Sequence, residues 1–180
     1  MLEILNAPTE VLSKKANPIN KIDSSILVFI KQMGEALEAA TDPIGVGLAA
    51  PQVGKSLRLF IVKPKVNSKI IAFINPKIIN QKPLVKTKKG QKHKKLEGCL
   101  SLKDIWGEVE RFPEITLEYQ DEEGTKHIKV FNGFMATIIQ HEIDHLEGVL
   151  FPKRVLEQKG TLYKSEKDEK GQDVFEEIKI

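Results

Sequence analysis

Cysteine is nearly missing from this chain: of 180 residues, only Cys99 carries a thiol. No disulfide can close within the chain, so a reducing compartment, the cytoplasm, fits it. Long apolar runs are missing as well. None approaches the ~18 residues that a membrane-spanning helix needs, so no membrane role is expected. Lys14 and Lys15 come early, yet no signal-peptide core follows the first residues, which argues against secretion. Internal repeats are absent, and neither sign of charge dominates. A formal net charge of +3 does not by itself call for a nucleic-acid partner.

What is present suits one soluble domain with a single core and a monomeric chain: 41% hydrophobic and 29% charged residues, at a length typical of one domain. The positive charge is uneven. From Lys82 to Lys95 the chain reads KPLVKTKKGQKHKK, with no acid. Such runs are usually solvated loops; the sharper reading is a patch that meets phosphate, such as ribosomal RNA.

The periodicity predicts a helix from Ser24 to Ala40. Ile26, Ile30, Met33 and Leu37 recur at helical spacing, Asp23 stands at the start and Pro43 lies beyond the end. Strands are expected at Arg58–Lys63 and Ile70–Ile74. A hairpin is expected from Ile115–Tyr119 through Asp121-Glu-Glu-Gly124 to His127–Phe131. The segment Gly45-Val-Gly-Leu-Ala-Ala-Pro-Gln52 reads as neither helix nor clean strand. A second helix is expected from Gly133 to Leu146, closed by Gly148. Residues 1–151 form the expected catalytic domain. Residues 152–180 read as a charged tail of the same domain, with a short hairpin from Thr161–Ser165 and Val174–Ile180. The class is α+β: antiparallel strands packed around a central helix, with an N-terminal helix.

That central helix carries Gln140-His-Glu-Ile-Asp-His145. Histidines four apart share one helix face, so both rings reach one ion. Phe134, Ile138, His141 and His145 form one stripe, directed inward. Thr137, Gln140, Asp144 and Glu147 form an opposite, polar stripe. Glu142 falls in the middle of the apolar arc between Met135 and Leu146, where ionisation is resisted and a raised pKa suits proton transfer at neutral pH. The bland alternative is two core histidines and a salt-bridged glutamate. The complete His-Glu-x-x-His pattern favours a catalytic metal.

Two histidines leave an ion short of protein ligands. Glu166, 21 residues after His145, would complete a zinc endopeptidase, but it lies in a charged stretch with no apolar period to fix it. Cys99 is the better third ligand, since a thiolate suits Zn²⁺ or Fe²⁺ and Gly98 beside it removes side-chain bulk.

Taken together, Gly45-Val-Gly-Leu-Ala-Ala-Pro-Gln52, Glu97-Gly-Cys-Leu-Ser101 and Gln140-His-Glu-Ile-Asp-His145 closely resemble the three motifs of the peptide deformylase family, in the same order. The similarity runs from about Ile4 to Phe151. It implies Cys99, His141 and His145 as metal ligands, Glu142 as acid-base, and the Gln52 side chain with the Leu100 backbone N–H as oxyanion donors. It implies that Val46 and Gly47 pair with substrate main chain. Phe134 and Ile138 then line the pocket for a methionine side chain, a role that weighs about equally with plain core packing. The implied substrate is a nascent peptide bearing N-formylmethionine. The implied metal is Fe²⁺ in the cell, with Zn²⁺, Ni²⁺ or Co²⁺ able to replace it.

An ion pair of Glu97 with Arg111 would hold the Cys99 segment. Four features depart from the family, the Lys-rich run just before the Cys99 motif among them. Leu102-Lys103 follows Ser101 where an aliphatic residue and proline are commoner, and Glu147 stands where Asn or Asp is commoner. The tail from Lys153 does not match the helix some members carry. A non-catalytic relative that binds peptides or ribosomes would be marked by loss of Glu142, Gln52 or a ligand, and all are present.

Overall fold

The computed structural model describes residues 2–83 and 96–179. Of the basic segment 82–95, all but Lys82 and Pro83 lie outside the described residues, as does Ile180 at the end of the expected last strand.

Helix α1 (Ser24–Ala39) starts where the sequence places it, because the Asp23 carboxylate accepts from the backbone N–H groups of Ser25, at 3.0 Å, and Ile26, at 3.4 Å. It buries Phe29, Ile30, Met33 and Leu37. Five antiparallel strands form the main sheet in the order β1 (Gly47–Ala49), β2 (Leu59–Val62), β3 (Ile71–Gln81), β6 (Glu114–Gln120) and β7 (Lys126–Asn132). Strand β2 is Leu-Phe-Ile-Val, buried along its whole length, because both faces of the sheet are covered here. Leu59 and Ile61 join Met33 and Leu37 of α1 in one core cluster. Phe60 and Val62 face the other way, onto Ile138, Ile139 and Leu146 of helix α2 (Gly133–Leu146). The His-Glu-x-x-His helix is thereby locked against the sheet by apolar burial on its own inner side.

A second sheet, ordered β4 (Leu96–Cys99), β5 (Leu102–Glu108), β8 (Leu162–Lys167) and β9 (Asp173–Glu177), carries Cys99. Helix α3 (Phe151–Glu157) covers it, with Phe151, Val155 and Leu162 clustered on Cys99. Gly107 permits this close packing, since a methyl there would lie 2.6 Å from Val155 and 3.0 Å from Leu162 and Phe151.

The expected strand at Ile70–Ile74 continues to Gln81. At Asn75, with φ +51°, and Pro76 the strand runs on with a shift of register against β6. The Gly45–Gln52 segment resolves into β1 and one 3₁₀ turn, Ala50–Val53, closed by Gly54 at φ +80°. Helix α3, all but its first residue Phe151, falls inside the stretch read as a charged tail. Pro152 in its first turn favours a helix start, and only two of its residues, Phe151 and Val155, are buried.

Candidate active site

The site forms where the end of β4 meets the middle of α2. His141 and His145, one turn apart, have ring centroids 5.0 Å apart. The ligand atoms of Cys99, His141 and His145 all lie within 4.8 Å of one another, and the Cys99 sulfur is 3.2 Å from His145 Nε2. Burial alone would push the Cys99 thiol up, but the charges and hydrogen bonds of His145 and His141 bring its pKa down to about 5. A ready thiolate with two imidazoles is a donor set for a borderline divalent ion that leaves one position for water. His145 Nδ1 is buried and finds no hydrogen-bond partner among the described residues. Three converging soft and borderline donors in a buried pocket fit a metal.

Glu97 orients His141. Its Oε2 lies 3.1 Å from His141 Nδ1, which leaves Nε2 as the coordinating nitrogen. Arg111 in turn grips both Glu97 oxygens at 2.8 Å and donates to Asp144 Oδ2 at 2.6 Å. Burial opposes the Glu97 charge, but Arg111 and His141 outweigh it and hold the carboxyl down at about 2. The expected pair is present, and it extends through Asp144 to Arg154 of α3, at 2.8 Å.

This network corrects the polar stripe. Gln140 and Asp144 were expected on an outer face, yet both are buried. Asp144 sits between two arginines. Gln140 accepts from the backbone N–H of Phe112 and donates to its carbonyl, fixing the residue next to Arg111. A helical wheel sorts residues by polarity and misses a helix whose polar side is also covered. Glu147, the departure at the end of α2, accepts from Arg58 at 2.6 Å and pairs with Lys15 at 3.0 Å, tying that end to the main sheet.

Glu142 projects into the apolar arc as the wheel predicts. It is 3% exposed, and its Oε2 has no partner among the described residues. Burial raises its pKa from 4.5 to about 7, against the pull of His141 and His145. Gly47 on β1 makes room for this carboxylate: a methyl there would collide with the Glu142 carboxyl group and lie 3.0 Å from Ile138. The need for glycine at 47 comes from close approach.

Gln52 is held rigidly. Its Oε1 accepts from Ala49 N–H at 2.9 Å, so Nε2 is turned toward the centre, 3.1 Å from Ser101 Oγ and 3.6 Å from the Cys99 sulfur. Ser101, fully buried, was missed by sequence reasoning as a functional residue, although it closes the Glu97–Ser101 motif. The N-terminal segment was missed too. Leu5 N–H donates to the Gln52 carbonyl at 2.8 Å and Ala7 N–H to the Ser101 carbonyl at 2.9 Å, so one extended strap secures both loops. No local pattern in residues 4–7 signals this.

A cleft of about 880 Å³ opens onto these groups. Val46, Gly47, Gln52, Cys99, Leu100, Phe134, Ile138, His141 and Glu142 all border it, so the structure gathers every predicted residue at one opening except His145, buried beneath. Phe134 is half exposed at the mouth, whereas Ile138 is buried and serves core and cleft together. Glu166 is elsewhere: it lies exposed on β8, paired with Lys164 at 2.7 Å, outside the cluster of potential ligands.

Comparison with known proteins agrees with this geometry. The polypeptide deformylase family model matches residues 1–160. A peptide deformylase of Symbiobacterium thermophilum is 42% identical over 152 residues, covering 84% of this chain and 65% of the relative's length. The structure resembles the peptide deformylase of Thermotoga maritima with a TM-score of 0.74 at 37% identity, covering 86% of this chain and 97% of that one. For the peptide deformylase of Thermus thermophilus the TM-score is 0.76 at 38% identity, with 88% of each chain covered.

Proposed function

The chain belongs to the polypeptide deformylase family, and from that premise we propose that it hydrolyses the formyl group from N-terminal formylmethionine of nascent polypeptides, releasing formate. Members of this family depend on a metal and act on nascent formyl-Met peptides. The observation that carries the reading is Cys99 beside His141 and His145, in place of the third ligand of an endopeptidase.

Bound there, a divalent ion supplies the Lewis acidity that makes water nucleophilic near neutral pH. Glu142 accepts the proton of the attacking water and passes it to the amine as the formyl C–N bond breaks. In this reading the Gln52 amide and the Leu100 backbone N–H donate to the oxygen on which negative charge develops. Because Gln52 is fixed through Ala49 and Ser101, its donor needs little reorganisation during the reaction. Strand β1 begins at Gly47 and is an edge of its sheet among the described residues, which supports pairing of Val46 and Gly47 with an extended peptide. Phe134 and Ile138 border the space for the methionine side chain.

The ion in the cell is Fe²⁺, with Zn²⁺, Ni²⁺ or Co²⁺ able to replace it; a Cys-His-His set accepts each. The enzyme works as a cytoplasmic monomer, and no helix among the described residues is long and apolar enough to cross a membrane. The basic segment 82–95 steers it to ribosomal RNA. The defining test is a formyl-Met tripeptide assay. One formate per free amino terminus, with internal bonds intact, is the expected outcome; internal cleavage without formate would favour the endopeptidase.

A further inference from the structure

The family match ends at residue 160, before β8 begins. The hairpin beyond that point nevertheless reaches the cleft through one side chain. Trp106 on β5 lines the cleft and pairs in register with Gly98 on β4 and Tyr163 on β8. Its six-membered ring rests on Gly98, where an added methyl would come within 2.9 Å of it. Its Nε1–H donates to Ser165 Oγ of β8 at 3.0 Å. Phe175 of β9 meets it edge-on, with centroids 5.8 Å apart and an interplanar angle of 88°. Ser165 and Phe175 face each other in the β8–β9 ladder, so one cross-strand pair fixes both the polar edge and the ring plane of the indole.

An indole so constrained offers a flat apolar surface at little cost in side-chain entropy. It stands on β5, the strand that pairs with the Cys99 segment, whereas Phe134 and Ile138 border the same cleft from α2. We infer that Trp106 is a specificity-determining platform for an apolar side chain of the substrate beyond its formylated residue, and that Ser165 and Phe175 are positioning residues that hold it. This rests on the deformylase reading above. The C-terminal hairpin thus acts on the substrate cleft through Trp106, without lining it itself.

The test compares formyl-Met-Leu-Leu amide with formyl-Met-Gly-Gly amide on the metal-loaded enzyme. The ratio of their kcat/KM values is expected to favour leucine and to fall about tenfold in Trp106→Ala. Ser165→Ala and Phe175→Ala shift the ratio in the same direction by smaller factors, through KM. Equal losses on both peptides would reduce Trp106 to a brace for Gly98 and overturn the inference, as would an unchanged ratio. Trp106 is the sole tryptophan, so the unmutated enzyme supplies a second readout: Met-Leu-Leu amide should blue-shift its emission and Met-Gly-Gly amide should not. Absence of that difference also overturns the platform. If neither formyl peptide releases formate, the deformylase reading fails, and the emission shift still decides the platform.

Discussion

Glu142 and its setting define the chemistry at the scale of single residues. Its carboxyl group is buried with one oxygen unpartnered, and Gly47 leaves the room it occupies. As the group that accepts a proton from water it works ionised, so kcat/KM is full above its pKa and declines as pH falls through it. Burial raises that pKa toward 7 from 4.5, and a bound cation opposes the rise. The acid limb of the kcat/KM profile is therefore expected between those values. Glu142→Gln should lower the rate by about 10²–10⁴-fold while metal content stays the same. An acid limb retained in this variant would show that another group carries the proton.

Among elements, the Glu97–Arg111–Asp144–Arg154 chain joins β4, the β5–β6 connection, α2 and α3 into one frame around the ligands. Arg111 is 9% exposed at its side chain and Arg154 34%. Removing Arg111 strands two buried carboxylates, so Arg111→Leu should cost about 3–5 kcal/mol in urea unfolding. Arg154→Leu removes a better-solvated partner and should cost about 1 kcal/mol or less. Similar losses for both would mean the network is not ordered by burial.

The same elements separate what the sequence makes legible from what it does not. α1 and α2 show because apolar residues recur with helical period, and the β6–β7 hairpin because Gly124 follows a run of acids. The metal ligands on α2 sit within five residues of one another, and Cys99 stands alone as a thiol. β4, β5 and α3 carry too few apolar residues, or too many glycines, to display a period. Asp144 and Ser101 are polar residues whose partners come from distant segments, and the strap of residues 4–7 acts through backbone groups that have no side-chain signature.

For the whole molecule, two sheets meet at one centre: α2 lies on the first and Cys99 ends a strand of the second. Binding to ribosomes is a property of the full chain and its charge. If lysines between 82 and 95 contact RNA phosphates, affinity should fall steeply as salt rises, and replacing them with glutamine should flatten that slope. Binding insensitive to both would remove the steering role.

The central claim is that Cys99, His141 and His145 together hold one ion on which formyl hydrolysis depends. Metal content measured alongside formate release, after anaerobic purification, tests it most directly. We predict one divalent ion per chain, activity proportional to occupancy, and loss of both in Cys99→Ala. Full occupancy and full formate release in Cys99→Ala would contradict the account.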